Sequence, residues 1–353
     1  MTKEFNYLIS GSASELYPVE TFFGLLYISK NEVLEIPKCY PFSGEWGYPL
    51  SKHLMDKEYY PVPQYIDVIY LSVIEEKFYS IETHFSADIL LSIWNNDKNS
   101  NRIVNDKYIV VGMAPYGGVA VWGYEEKKSI ILCWKQATEV AVTMKDFSPL
   151  TPNVSLSDYC ASYLSNKRIK ENLTMIGLPP RNLYNKYMQQ FTYRYQYFFE
   201  HWNEDKEEWK EYEGEEKLKM MPEFDYIEEA LFDGTHDKLH DGGLMSYHDA
   251  GKPKKIAIAW RIKKSEYTAY FWFGEDEIQT FFDRFYGAHP ETKTDFMIRI
   301  DSEKKKIELA LYRYGLKEPQ VISESAYQLL VFKNKFEYYR SDNYNQAKGA
   351  WIW

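Results

Sequence analysis

One arrangement of elements occurs twice in the chain, and it limits the fold more than any other feature. Residues 66–122 and 256–312 each read as two strands around a polar turn, then a helix, then two further strands. Matched positions keep a nearly constant spacing, so the pattern predicts two copies of one module. The same arrangement is common in unrelated α+β proteins, so coincidence is the alternative.

The two predicted helices indicate where each module buries apolar surface. Apolar residues three and four positions apart define one face of each helix, and these faces are expected to lie against strands. The residues are Ile89, Ile93 and Trp94 in the first helix, and Ile278, Phe282 and Phe285 in the second. The sequence therefore predicts an α+β fold: antiparallel sheets with packed helices, in two related strand–strand–helix–strand–strand modules.

Breaks in the pattern divide the chain into three parts. The stretch 148–152 contains two prolines and interrupts the strands, which places a boundary near it. We predict an N-terminal α+β module at 1–150, a connecting region at 151–250 and a C-terminal α+β module at 251–353. The connecting region contains an acidic run at 204–217 and a loop rich in Gly, Asp and His.

Charge and composition favour some partners over others. The formal charge is −10, which disfavours a general nucleic-acid binder because such proteins need a basic face. No apolar run approaches the ~18 residues that a membrane span requires. Aromatic residues make up 18% of the chain, and Tyr and Trp are favoured anchors of protein interfaces. We therefore expect a protein partner, no nucleic acid and no membrane span.

The N-terminal residues lack the long apolar stretch and the cleavage site of a signal peptide. The sequence as written therefore predicts a cytoplasmic protein. If a leader has been removed, a periplasmic or lipid-anchored protein is the alternative.

The segment 233–249 is the densest candidate for metal chemistry. His236, His240 and His248 lie among four aspartates, and both residue types are ligands for zinc and iron. Glycines in the segment disfavour the helix that would bring His236 and His240 onto one face. The catalytic Glu of known zinc motifs is also missing between those two residues. A solvent-exposed loop is the favoured interpretation, and we predict neither a metal nor another cofactor.

Signatures of common enzyme classes do not occur in the sequence. The Gly-rich stretch 112–118 lies between two predicted strands, so it cannot aim a helix N-terminus at a phosphate. No Gly-x-Ser-x-Gly nucleophile elbow occurs. Carboxylates are plentiful, and sequence alone cannot show whether two of them face a cleft, so a glycosidase is not excluded.

Three stretches in the first part of the chain are typical of one protein family. They are 17–20, 69–79 and 108–122, and the run Gly-Met-Ala-Pro-Tyr-Gly-Gly-Val-Ala-Val-Trp at 112–122 is the most specific. They resemble the family of domains of unknown function numbered 2931, and 234–353 resembles the C-terminal part of its long members. The resemblance implies bacterial relatives of the Bacteroides type, many of them lipoproteins and some encoded beside type VI secretion toxins. The family has no established catalytic residues, so it implies none here.

The resemblance and the composition together lead to a hypothesis of function. Some family members are encoded beside toxins, which implies that this protein is an immunity protein. Such a protein would neutralise a cognate interbacterial toxin by direct binding, without catalysis. Acidic charge would steer the encounter, and aromatic side chains would anchor the complex. The candidate contact residues are Trp46, Tyr48, Tyr116, Trp209, Glu207, Glu208 and Glu211.

Two alternatives belong to other functional classes. A metal-dependent or carbohydrate-active hydrolase would use the His/Asp segment 233–249, and bound metal in the purified protein would favour it. A structural protein would need only the packing of its two modules. A toxin-like gene next to this one would favour the immunity hypothesis.

Overall fold

The structure, a computed structural model, describes most of the chain in two compact units. Unit 1 comprises Met1–Met188 and Asp233–Thr235, and unit 2 comprises Gln189–Phe232 and His236–Trp353. The region predicted as a connection, 151–250, is therefore divided between the two units. The described residues are 3–14, 17–38, 45–49, 59–94, 107–125, 128–213, 222–240, 246–301, 303, 306–322, 326–332 and 336–340.

Unit 1 contains eleven described strands and five described α-helices. The strands are β1 (Glu4–Phe5), β2 (Leu8–Ala13), β3 (Val19–Ser29), β4 (Glu32–Glu35), β5 (Tyr60–Pro61), β6 (Tyr65–Ser72), β7 (Lys77–His84), β8 (Lys107–Ala114), β9 (Gly118–Glu125), β10 (Lys128–Gln136) and β11 (Thr138–Val140). The helices are α1 (Ala87–Trp94), α2 (Met144–Phe147), α3 (Leu156–Leu164), α4 (Lys167–Ile176) and α5 (Leu183–Tyr187).

Two main sheets form unit 1. The first has the order β11-β7-β6-β3-β4, with antiparallel neighbours throughout. The second has the order β10-β9-β8-β2, in which β2 runs parallel to β8 and the other pairs are antiparallel. β1 and β5 form a separate antiparallel pair. The helix α1 follows β7 of the first sheet and precedes β8 of the second.

One apolar core joins both sheets of unit 1. It includes Val68 and Tyr70 from β6, Val111 from β8 and Val121 from β9, with Leu90 of α1 beside them. Side chains of a strand alternate between its two faces, and the alternating burial of β6 shows one face turned to this core. Nearly every residue of β8 and β9 is buried, so these two strands are covered on both faces.

The second face of β8 and β9 is covered around Trp122, which is fully buried. Its ring lies where Gly112 has no side chain, because a Cβ at Gly112 would stand 2.4 Å from Trp122 Cζ3. The ring of Trp46 packs edge-on against it, with centroids 4.9 Å apart, and Tyr184 of α5 packs on Trp46 at 5.1 Å. The indole Nε1 of Trp122 donates a hydrogen bond to the backbone oxygen of Asp233, at 3.1 Å.

Unit 2 contains twelve described strands and one described helix. The strands are β12 (Phe191–Asn203), β13 (Glu208–Glu211), β14 (Glu223–Leu231), β15 (His236–Leu239), β16 (His248–Ala250), β17 (Pro253–Ile262), β18 (Ser265–Trp272), β19 (Thr294–Asp301), β20 (Lys306–Tyr312), β21 (Gln320–Val321), β22 (Ala326–Phe332) and β23 (Phe336–Arg340). The helix is α6 (Glu275–Tyr286).

The strand connections of unit 2 repeat those of unit 1. Its first sheet has the order β22-β18-β17-β14-β15, extended by β23, and corresponds to β11-β7-β6-β3-β4. Its second sheet has the order β21-β20-β19-β12, extended by β13, and corresponds to β10-β9-β8-β2. The parallel pairing of β2 with β8 recurs between β12 and β19, and the pairing of β1 with β5 recurs between β12 and β16. Among the described strands, β13 and β23 have no counterpart in unit 1.

The predicted fold class is wrong. The structure is mostly β, with 52% of residues in strands and 17% in helices, so it is not an α+β fold of sheets covered by packed helices. The strand–strand–helix–strand–strand order is present in 66–122 and in 256–312, but those two strand pairs belong to two different sheets in each unit. In unit 1 a second sheet buries most of the apolar strand faces, and an apolar strand face reads the same in sequence whichever element covers it.

The predicted helix faces are buried with one exception. Trp94, Ile278, Phe282 and Phe285 are buried, and Ile93 is partly buried. Ile89 is 39% exposed, so its predicted burial is wrong, and Leu90 takes the core position of that turn. Among the described helices, none has the length and apolar character to cross a membrane.

The loop between β8 and β9 is fixed by Glu75, which lies in the turn between β6 and β7. The Glu75 carboxylate accepts hydrogen bonds from Ser72 Oγ at 2.7 Å and from the Tyr79 hydroxyl at 2.8 Å. It also accepts one from the backbone N–H of Tyr116, at 2.7 Å. Tyr116 has a φ of 61°, which costs a non-glycine residue ~1 kcal/mol or more. These bonds offset that cost and hold the loop against the first sheet.

We expect Glu75→Gln to lower the free energy of unfolding by about 1–3 kcal/mol, because three donors lose a charged acceptor. Denaturant unfolding of the full chain measures the change. The matched control is Glu76→Gln, at the exposed neighbouring position, which should change stability by less than ~0.5 kcal/mol. Equal effects of the two substitutions would contradict the role given to Glu75.

Candidate partner-binding site

The two units differ in the connection that follows the strand parallel to its neighbour. In unit 1, five residues connect Ala13 at the end of β2 to Val19 at the start of β3. In unit 2, Phe199 is the last residue of β12 that pairs with β19, and β14 begins at Glu223. The connection between them, residues 200–222, has 23 residues. The first unit forms its sheets without such an insertion, so the fold does not require it.

The insertion begins with an antiparallel hairpin, which we call the acidic hairpin (residues 200–211). Its strands pair Glu200 with Glu211 and Trp202 with Trp209. Six acidic residues and two lysines within it give a formal charge of −4, a large share of the total of −10. Glu207, Glu208 and Glu211 are exposed. The hairpin therefore presents concentrated negative charge to solvent.

Two tryptophans and a lysine form the centre of this hairpin. The rings of Trp202 and Trp209 pack edge-on with centroids 5.3 Å apart. The Nζ atom of Lys306, at the start of β20, lies 3.0 Å from the ring centroid of Trp202 and 5.9 Å from that of Trp209. An ammonium over an indole face is a favourable cation–π arrangement.

Buried polar contacts fix the position of the hairpin relative to β19 and β20. Asp301 is fully buried, and its carboxylate accepts a hydrogen bond from the Trp202 backbone N–H at 2.8 Å. Arg299 Nε lies 3.5 Å from a carboxylate oxygen of Glu200, and Arg299 Nη1 lies 3.2 Å from one of Glu308. Because these groups are partly or fully shielded from water, their pairing holds the base of the hairpin more firmly than exposed pairs would.

Four of the seven predicted contact residues lie together in the acidic hairpin: Trp209, Glu207, Glu208 and Glu211. Sequence reasoning missed Trp202 and Lys306. A signal for Trp202 was present, since two β-prone runs flank the polar turn 203–208 and place Trp202 opposite Trp209. No comparable signal identifies Lys306, because its contact depends on pairing between strands about a hundred residues apart in the chain.

The other three predicted contact residues lie in unit 1. Trp46 is only 8% exposed and packs against Trp122, so in this structure it is a packing residue. Tyr48 is 43% exposed, and its ring lies 6.0 Å from that of Tyr124. Tyr116 is partly buried in the loop held by Glu75. Partner binding through Tyr48 or Tyr116 stays a prediction.

A comparison with protein families matches residues 2–179 to the family described as "Protein of unknown function (DUF2931)". The chain belongs to this family. The match confirms the predicted family resemblance of 17–20, 69–79 and 108–122, whereas the predicted resemblance of 234–353 lies outside the matched residues. No curated protein and no solved structure matches the chain.

The matched residues of this DUF2931 protein lie within unit 1, so the acidic hairpin lies outside them. The run 112–122 has structural duties: Gly112 makes room for Trp122, and Tyr116 is bonded to Glu75. Those contacts explain the motif as a packing and loop-fixing element. The structure thus gives the residues of this run a role in forming unit 1.

The three histidines proposed as alternative metal ligands lie at the two ends of β15 and at the start of β16. His236 begins β15, His240 follows β15, and His248 begins β16. A strand advances ~3.3 Å per residue, so the four residues from His236 to His240 span about 13 Å, too far for one ion. Within the described residues, no group of three or more His, Cys, Asp or Glu side chains is arranged to hold a metal. Asp241 lies outside the described residues.

We predict that the purified DUF2931 protein contains no transition metal at His236, His240 and His248. Elemental analysis should find less than about 0.1 metal ion per chain, a level well below the full occupancy of a built zinc site. One zinc ion per chain that is lost in His240→Ala would contradict this prediction.

His248 takes part in a buried polar cluster of unit 2. Its Nε2 atom lies 3.8 Å from Glu229 Oε1, and Glu229 is buried and accepts a hydrogen bond from the Tyr195 hydroxyl. Burial acts to lower the pKa of His248, but the Glu229 carboxylate, the Ser246 carbonyl and Asp237 outweigh it and raise that pKa above the usual value. The imidazolium is therefore favoured in the folded state.

This raised pKa predicts a dependence of stability on pH. The charged His248 stabilises unit 2 fully below about pH 6.5, and this contribution is lost as pH rises through the folded pKa. His248→Gln should therefore destabilise the protein more at pH 6 than at pH 8, as measured by denaturant unfolding at several pH values. The control, His289→Gln at an exposed position, should keep the pH dependence of the original chain. If His248→Gln lowers stability by the same amount at every pH, the pairing of His248 with Glu229 is refuted.

Proposed function

We propose that this protein is a non-catalytic binding protein that neutralises a cognate protein toxin by direct contact through the acidic hairpin. The observation that supports this most is the 23-residue insertion of unit 2, which the corresponding position of unit 1 lacks. Structure that a fold does not need is the kind of element on which binding functions are built. The type VI secretion context enters only through the family resemblance.

The chemistry of the acidic hairpin suits a basic partner. Glu207, Glu208 and Glu211 are exposed, so their field reaches a partner before contact and raises the rate of association. Trp202 and Trp209 are held in position by their own contact and by the hydrogen bond from the Trp202 backbone N–H to Asp301. A pre-ordered aromatic pair loses little side-chain entropy on binding, which is why Trp residues dominate the affinity of many interfaces.

The first test is binding of the toxin encoded next to this protein, followed by rescue of cells that express it. If Trp209 is an anchor, Trp209→Ala should weaken binding by at least ~2 kcal/mol, which is about a thirtyfold loss of affinity. The matched control is Tyr314→Ala, which removes an aromatic ring that is 99% exposed in the same unit. It should leave the dissociation constant unchanged.

Charge reversal separates steering from anchoring. Replacing Glu207, Glu208 and Glu211 together by lysine should mainly lower the association rate. The effect should be smaller at high salt, because salt screens the charges. The control reverses Glu4, Glu35 and Glu318, three exposed residues outside the acidic hairpin. If no complex forms and cells die equally with and without this protein, the proposed function is wrong.

A further inference from the structure

The ammonium group of Lys306 lies against the two tryptophan rings of the acidic hairpin. Lys306 Nζ stands 3.0 Å from the Trp202 ring centroid, which is contact distance. Among the described residues, no carboxylate lies within ion-pair distance of this Nζ atom, although Glu204, Glu207 and Glu308 are close enough to influence it electrostatically. An aromatic pair inside an acidic rim is the arrangement by which proteins recognise ammonium groups.

We call the ring pair of Trp202 and Trp209 the clamp, and contact with it costs the Lys306 ammonium part of its hydration. Burial lowers the pKa of its ammonium, and the carboxylates of Glu308, Glu207 and Glu204 act in the opposite direction without cancelling that effect. The ammonium has therefore lost part of its hydration by contact with the ring faces. It regains that hydration when it leaves, which makes it a replaceable occupant.

The clamp is also separate from the needs of the fold. Trp202 and Trp209 lie in the insertion, and unit 1 builds the corresponding sheet without one. Asp301 and Arg299 hold the hairpin to β19 and β20 through contacts that do not involve Lys306. The rings therefore stay in place when the lysine moves.

We infer that the Trp202–Trp209 pair is a binding site for a lysine side chain of a partner protein, which Lys306 occupies in the free chain. This inference rests on the proposed function, since it names the partner chemistry that the acidic hairpin recognises. A ring face admits one cation at contact distance, so the partner's ammonium binds as Lys306 withdraws. A primary ammonium already occupies the ring face in the free chain, so the site is assigned to a lysine side chain.

The test uses the full chain labelled with 5-fluorotryptophan and followed by fluorine NMR. The chain has ten tryptophans, and Trp202→Phe and Trp209→Phe identify the two resonances of the clamp. The probe is N-acetyl-lysine methylamide, a lysine side chain without a protein attached. In Lys306→Met, the probe should shift these two resonances and leave the other eight unchanged.

The original chain should bind the same probe about fivefold more weakly or worse, because Lys306 competes for the ring face. Lys306→Arg keeps a cation in the clamp and should also bind weakly. Lys317→Met removes an exposed lysine elsewhere in unit 2 and should behave as the original chain does. Unchanged positions of the other eight resonances show that each variant is folded.

Three results would overturn the inference. The first is no shift of the two clamp resonances in a folded Lys306→Met variant. The second is an equal shift by the Nε-acetylated, uncharged form of the probe, which would show stacking without charge recognition. The third is binding of tetramethylammonium but not of the lysine probe. Lysine-probe binding without toxin binding would refute only the proposed function, and toxin binding without lysine-probe binding would refute only this inference.

Discussion

The burial of Trp122 is the contact on which unit 1 depends most. Its ring occupies the space above Gly112, and any side chain there would meet it at 2.4 Å. Trp46 packs on the ring, and the indole N–H is satisfied by the Asp233 backbone oxygen, so segments distant in sequence meet at one residue. Close-packed interiors tolerate little change in volume. That is a physical reason for glycine and tryptophan at the two ends of the family's most specific run.

The duplication allows one half of the chain to serve as a reference for the other. Strands that recur in both units, such as β8 and β19, are those that the fold requires. A feature that occurs in unit 2 alone is an addition to the shared fold. The acidic hairpin is such an addition. Each unit also buries a glutamate, Glu20 in unit 1 and Glu229 in unit 2, where His248 lies beside it. A buried carboxylate is costly unless it is paired, so its presence in unit 2 requires the partners that surround it.

Sequence reasoning located part of the candidate site. Glu207, Glu208, Glu211 and Trp209 were found because charge and aromatic content are visible in the residues themselves. Lys306 was not found, since nothing in its local sequence indicates that β20 joins the same sheet as β12. Trp46 shows the opposite limit: an aromatic residue in a Pro/Gly-rich loop reads as exposed, although tertiary packing buries it against Trp122.

The sequence by itself determined the local elements: the alternation that makes 66–72 a strand, the apolar face of Ile278 and Phe282, and the repeated order of elements. It also determined the family, whose model matches residues 2–179. Only the tertiary structure decided that the two strand pairs of each module enter different sheets, which makes the protein mostly β. The reason is physical: periodicity specifies which side of a strand is apolar, whereas the choice of covering surface depends on pairings between residues far apart in the chain.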